Sequence, residues 1–238
     1  NEIEDATASI LDLAASLDVG LGEAAEFSGS VVRSFGLTTK ETQKVVDVMA
    51  RSTSSSALNF ESLRESMKLV APVSRSLDVS VEKTTALLAV LADRGLKGSI
   101  AGTGLAKTFI MLSKQGMTLE QGLAKLKASG NDLNTAIKMV GVVASKSFLT
   151  LANGQEDIAG LEQSFLNSAG AAQEMADIRL DNLAGDTTIL ASAFEGLLLS
   201  IEDGKGAISA VARGFVQANT SVLNFLTRQK EVIDAIKE

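Results

Sequence analysis

A helix-turn-helix pattern occurs twice in this chain, about 60 residues apart, and both copies begin with the same four residues. SLDVGLGEAAEFSGSVVRSFGL runs from Ser16 to Leu37 and SLDVSVEKTTALLAVLADRGL from Ser76 to Leu96, each closing on Gly-Leu. A single helical pair cannot bury its own apolar face, so self-similarity at this period predicts stacked hairpins. Nothing in the chain argues for strands. Pro72 is the one proline in a sequence full of Ala, Leu and Val, and glycines fall where the apolar periodicity resets.

The starts of the helices are written in side chains that can accept hydrogen bonds from first-turn amides. Thr38 with Glu41 and Thr118 with Gln121 fit the reciprocal capping box, and Asn59, Ser80 and Asn131 read as simple caps. After Asn59, the residues Phe60, Leu63, Met67, Val70 and Leu77 fall on one helical face. Pro72 lies inside that stripe and predicts a kink near Lys68 to Ala71, either a tolerated bend or a hinge.

In the second copy Val81, Thr84, Leu88 and Leu91 form a stripe that Leu87 and Val90 broaden, which predicts a central helix. Its smaller counterpart carries Ala24, Ala25, Val31 and Val32, with Gly29 allowing a close approach, so the two are expected to pack on each other. From Gly204, spacings of three and four run through Ile208, Val211, Phe215, Ala218, Val222, Phe225, Gln229, Val232 and Ile236. That pattern suits a coiled coil or a single amphipathic helix docked on the body.

The expected fold is therefore an all-α, multi-helix bundle of stacked helical hairpins, with a duplicated helix-turn-helix unit and a long C-terminal amphipathic helix. Residues 1–113 form the duplicated region, closing with a Gly-rich turn and the helix after it; 114–203 form a second helical region and 204–238 the long helix. The chain opens on Asn1 and ends mid-pattern, so it reads as a fragment of a longer protein.

The chemistry available is narrow. There is no Cys, His, Trp or Tyr, which removes disulfides, thiolates, imidazole ligands and the commonest general base. A net charge of −7 with scattered basic residues disfavours nucleic acid, whose affinity comes from clustered Lys and Arg. No charge-free stretch reaches the length of a membrane span; the longest, Gly214 to Thr227, carries Gln217, Asn219 and Asn224. No signal peptide is visible.

The string GLKGSIAGTGL places Gly95, Gly98, Ala101, Gly102, Thr103 and Gly104 close together. A phosphate loop needs Gly-Lys-Ser/Thr after its variable residues, and a dinucleotide fingerprint needs a third Gly after a strand; neither is present. The string reads instead as a structural motif, a tight turn opening a helix from Ala101 to Ser113, with glycines that let helices pack closely. The carboxylates at Glu2/Glu4/Asp5, Glu156/Asp157 and Glu202/Asp203 are neighbours in sequence, not a pair held across a cleft, and read as solvated surface. Asp181, Asp186 and Asp203 lack calcium-loop spacing. No catalytic, metal or cofactor-binding residue is expected, and the chain reads as a non-enzyme.

Three stretches resemble the core region of bacteriophage tail tape measure proteins: Ala86 to Leu112, with its Leu-rich helix, Gly turn and Ala-Gly-Thr start; Met139 to Phe165; and Ser168 to Ile201. Thr118 to Lys138 departs from the family's spacing. The resemblance implies a multi-copy virion protein in the tail-tube lumen that templates tube polymerisation, sets tail length and leaves ahead of the DNA, after assembly in the host cytoplasm. It implies tail-tube protein, tail assembly chaperones and tail-tip or baseplate proteins as partners, a homo-oligomer, no nucleic-acid binding and no membrane segment in this stretch. The alternative is a helical protein-protein adapter or secreted effector without catalytic activity.

Overall fold

The computed structural model describes residues 2–181, and these form ten α-helices with no strand among them. In chain order they are α1 (Glu2–Leu17), α2 (Leu21–Phe35), α3 (Thr42–Ser55), α4 (Phe60–Ser76), α5 (Val81–Asp93), α6 (Gly98–Ser113), α7 (Leu119–Ala128), α8 (Leu133–Ala152), α9 (Gln155–Leu166) and α10 (Ala171–Leu180). Asn1–Ala176 is one compact unit, and a second begins at Asp177. The heptad-like segment from Gly204 lies outside the described residues.

The duplicated sequence encodes duplicated turns. In SLDV the Asp takes the left-handed conformation, with φ 58 at Asp18 and 54 at Asp78. The next amide then reaches back five residues: Val19 N–H donates to the Ala14 carbonyl at 3.1 Å, and Val79 N–H to the Ser74 carbonyl at 2.9 Å. The closing Gly-Leu repeats this geometry. Gly36 and Gly95 have φ of 69 and 81, while Leu37 and Leu96 donate to Val32 and Leu91 at 2.9 and 2.8 Å. Each is a Schellman end, which satisfies carbonyls the helix leaves unpaired and turns the apolar residue after it inward. The likeness extends to a third helix, since α1 packs on α2 and α3 just as α4 packs on α5 and α6.

Most of the caps are where the sequence places them. Asn59, Ser80 and Thr118 accept from the third amide of α4, α5 and α7, and the Glu41 carboxylate accepts from both the Thr38 amide and its hydroxyl. Asn131 is a correction. It sits in the left-handed turn after α7 with φ 56, and Asp132 is the cap of α8, accepting from Thr135 N–H at 2.7 Å.

The stripe of α4 is buried at Phe60, Leu63, Met67 and Val70, with Leu77 half-buried, and the helix runs without a break through the exposed Pro72. The central helix is α5, buried continuously from Thr84 to Ala92 and surrounded by α3, α4, α6, α8 and α9. Crowding of that perimeter explains a second correction: α2 does not pair with α5 but packs on α1, α3 and α4. Its contact with α4 includes Phe27 edge-on to Phe60, with ring centres 5.4 Å apart at 90°. Gly29 makes no close approach, because a methyl there would meet only the Arg33 guanidinium of its own helix.

By length and composition α8 is apolar enough to cross a membrane, with mean hydropathy 1.3, although it is not free of charge, since Lys138 and Lys146 lie within it. Half of it is buried in the unit, and Gly141, at φ 81 and ψ 166, interrupts the helix. Those are properties of a core helix.

Candidate functional site

The Gly-rich string lies where three helices cross. α6 packs most extensively against α4 on one side and α8 on the other. It begins at Gly98, three residues before the start expected at Ala101, because Gly98 itself supplies the turn with φ 57. A methyl on Gly102 would stand 2.6 Å from the Ser66 carbonyl oxygen and 2.8 Å from its Cα, so α4 and α6 touch backbone to backbone. On the other side, a methyl on Gly104 would run into Ser147 of α8, colliding with Oγ and coming within 2.8 Å of Cβ. Real Cβ contacts are not this short.

Hydrogen bonds join the same crossing. Ser66 Oγ lies 2.7 Å from the Ser62 carbonyl and 2.8 Å from the Gly98 carbonyl, so its one proton can serve either. Ala101 is fully buried and Thr103 half-buried beside the contact. Gly95 is apart from it, ending α5 with open space around its Cα. The string thus brings Gly98, Ala101, Gly102 and Gly104 together as a packing seam, and leaves Gly95 as a turn.

An anion would find the start of α6 taken. The Glu65 carboxylate lies against Gly98, putting negative charge of the protein's own where a phosphate would bind to a helix N-terminus.

Two buried carboxylates that the sequence pattern does not single out hold neighbouring helices together. Glu82 on α5 is 1% exposed and pairs with Lys44 of α3 at 2.6 Å. Asp47 on α3 accepts from Gly170 N–H and Ala172 N–H, each at 3.0 Å, and from Gln43 Nε2 at 3.1 Å. It therefore caps α10 from more than a hundred residues upstream. Asp47 thus replaces solvent with fixed donors, which is what a buried carboxylate requires, whereas Glu82 rests on its ion pair with Lys44.

A groove of about 550 Å³ runs beside the second SLDV turn, lined by Leu77, Lys83, Phe109, Met117, Leu119 and Glu162. Lys83 Nζ is 2.7 Å from Glu162 Oε2 and 3.7 Å from Glu120 Oε1, so its charge is already answered. Glu156 is exposed, and Asp157 pairs with Arg94 at 2.8 Å. Among the described residues no group of three or more His, Cys, Asp or Glu could hold a metal ion. The perturbed ionisable groups are surface ones. The Thr135 amide and hydroxyl hold Asp132 below the usual carboxylate range, and those of Thr38 do the same for Glu41. Hydrogen bonds to Glu61 raise Arg64.

The arrangement can hold helices at close range; among the described residues it places no acid and base pair across a cleft. Comparison with known proteins gives the chain a family. The profile of the phage-related minor tail protein family matches residues 1–163, about two thirds of the chain. The chain belongs to that family. Two relatives carry the name tape measure: the tape measure protein of Pneumococcus phage Dp-1, 31% identical across 91% of this chain, and the probable tape measure protein of Escherichia phage P2, 25% identical across 92%. The chain spans only 22% and 32% of those two proteins. No solved structure matches it.

Proposed function

We propose that this minor tail protein chain is the helical core segment of a tape measure, acting in tail assembly and not in catalysis. The observation that carries the reading is similarity to two tape measure proteins over nine tenths of the chain. In this reading it lies in the tail-tube lumen in several copies, templates tube polymerisation, sets tail length and leaves ahead of the DNA. Its partners are the tube protein, the assembly chaperones and the tail tip. The division into 1–113, 114–203 and 204–238 belongs to the same proposal, with the last segment as the ruler.

Helix rises about 1.5 Å per residue, so removing the 28 residues from Ile208 to Ala235 shortens tails by roughly 42 Å if that segment measures length. Deletion across Ser16 to Leu37, which takes away α2 and its turns, blocks assembly instead. Electron micrographs of both deletions test the proposal. Normal-length tails after the first remove the ruler role; infective, normal tails after the second remove the assembly role.

A further inference from the structure

The second hairpin of the repeat, α4 and α5, is stacked on α2 of the first hairpin and on α3 after it, α4 receiving α2 and α5 receiving α3. On α4 the receiving residues include Met67 and Ala71, which line a cavity with Phe27 and Val31 of α2. On α5 the receiving side includes Glu82, beneath Lys44 of α3, and the adjoining Val81 is buried as well. Shifted back by the 60 residues between the SLDV units, Val70 becomes Ile10, Ala71 becomes Leu11, Val81 becomes Leu21 and Thr85 becomes Ala25. Ala71 and Val81 are 1% and 3% exposed, whereas Leu11 and Leu21 are 50% and 48% exposed. The first hairpin therefore leaves open the surface that the second buries.

We infer that the outer face of α1 and α2, centred on Leu11 and Leu21, is the open end of the helical stack and docks another helical hairpin of this repeat type. The new interface continues the one already formed between the two hairpins, helix for helix. The occupant lays a helix along α1 as α2 lies along α4, with an aromatic residue and, four residues on, a side chain smaller than Val31, because Leu11 fills space that Ala71 leaves free. A second copy of this chain is not the occupant. Phe27 and Val31 are spent on α4, and the matching Leu87 and Leu91 of α5 are fully buried.

The chain has no cysteine, so Leu11→Cys supplies a single reporter thiol. The intact chain carrying it is compared with the same chain extended at its N-terminus by an added copy of residues 1–59 bearing Val31→Ala. The thiol should alkylate rapidly in the first protein at all concentrations, and about tenfold or more slowly in the second, as closed sites report their opening equilibrium. A Leu21→Asp change in the original hairpin should restore fast alkylation of the extended chain while leaving the melting temperature of the unextended chain unaltered. Equal alkylation rates with and without the added hairpin overturn the inference. So does concentration-dependent protection in the unextended chain, which would make a second copy the occupant. If the extended chain fails to fold by circular dichroism, the unextended Leu21→Asp chain still decides: a lowered melting temperature shows that this face is already covered, and an unchanged one that it is open.

Discussion

Gly102→Ala tests the helix crossing most directly. The added methyl would arrive 2.6 Å from the Ser66 carbonyl oxygen and 2.8 Å from its Cα, and neither atom can rotate away. Relief requires α4 and α6 to separate along a contact that also carries the Ser66 hydroxyl to Gly98. Overpacking of this kind costs about 1–3 kcal/mol, while exchanging Gly for Ala inside a helix returns about 1 kcal/mol, leaving a net loss of up to about 2 kcal/mol. At about 2–4 °C per kcal/mol for a domain of this size, the melting temperature should fall by up to about 8 °C. Gly160→Ala in α9 is the control, since a methyl there meets nothing within 4 Å, and it should stabilise by about 1 kcal/mol. A companion cycle separates side-chain from backbone obstruction. Ser147→Gly should rescue Gly104→Ala because it removes both clashing atoms, whereas Ser66→Gly should not rescue Gly102→Ala because the carbonyl and Cα remain. Urea melts in which Gly102→Ala and Gly160→Ala stabilise equally would refute the close crossing.

Leu88→Ala, at a fully buried position of α5, should destabilise by about 2–5 kcal/mol through lost transfer energy and a cavity, while the exposed Glu156→Ala stays within about 0.5 kcal/mol; denaturant midpoints give the comparison. The Asp132 cap should make the start of α8 sensitive to acid. Its folded pKa is depressed below the ordinary 3.8, so its contribution is complete above that value and lost as pH falls through the folded one. Asp132→Asn keeps an acceptor but does not titrate, so exchange of the Thr135 amide should lose that acid-dependent rise; an unchanged pH profile would contradict the assignment.

Local features were the legible ones. Thr38, Asn59, Ser80 and Thr118 act within three residues of themselves, so sequence alone locates the helix starts. Asn131 misleads because the same short polar side chain that caps a helix also tolerates the left-handed turn, and only the neighbouring Asp132 is in extended geometry. A breadth of apolar residues marks α5 as central, but a stripe does not name its partner, and α2 and α5 are kept apart by the helices crowding α5. The same limit applies to the site. Gly102 and Gly104 can be read as close-packing residues, yet Ser66 and Ser147, which meet them, are distant in sequence and look like ordinary helix serines. Asp47 and Glu82 carry no sequence signal at all, since a lone carboxylate in a helix looks solvated until another helix covers it.

The Asp47 clamp on α10 has a consequence for the order of folding. The reversals of the two hairpins close between residues only five apart, so they can form on the timescale of local helix formation. Asp47 meets the amide of Ala172 across 125 residues, a loop whose closure entropy is paid only once the intervening helices are in place. Docking of α10 is therefore a late event, and on partial unfolding it is an early one. Ala171, Ala172 and Ala176 are buried there and Met175 is half-buried, so α10 adds a modest hydrophobic reward to offset that entropy. Asp47, the Arg51–Glu174 ion pair at 3.9 Å and a few small buried side chains are what α10 gives up when it comes undone, while the stacked hairpins stay folded.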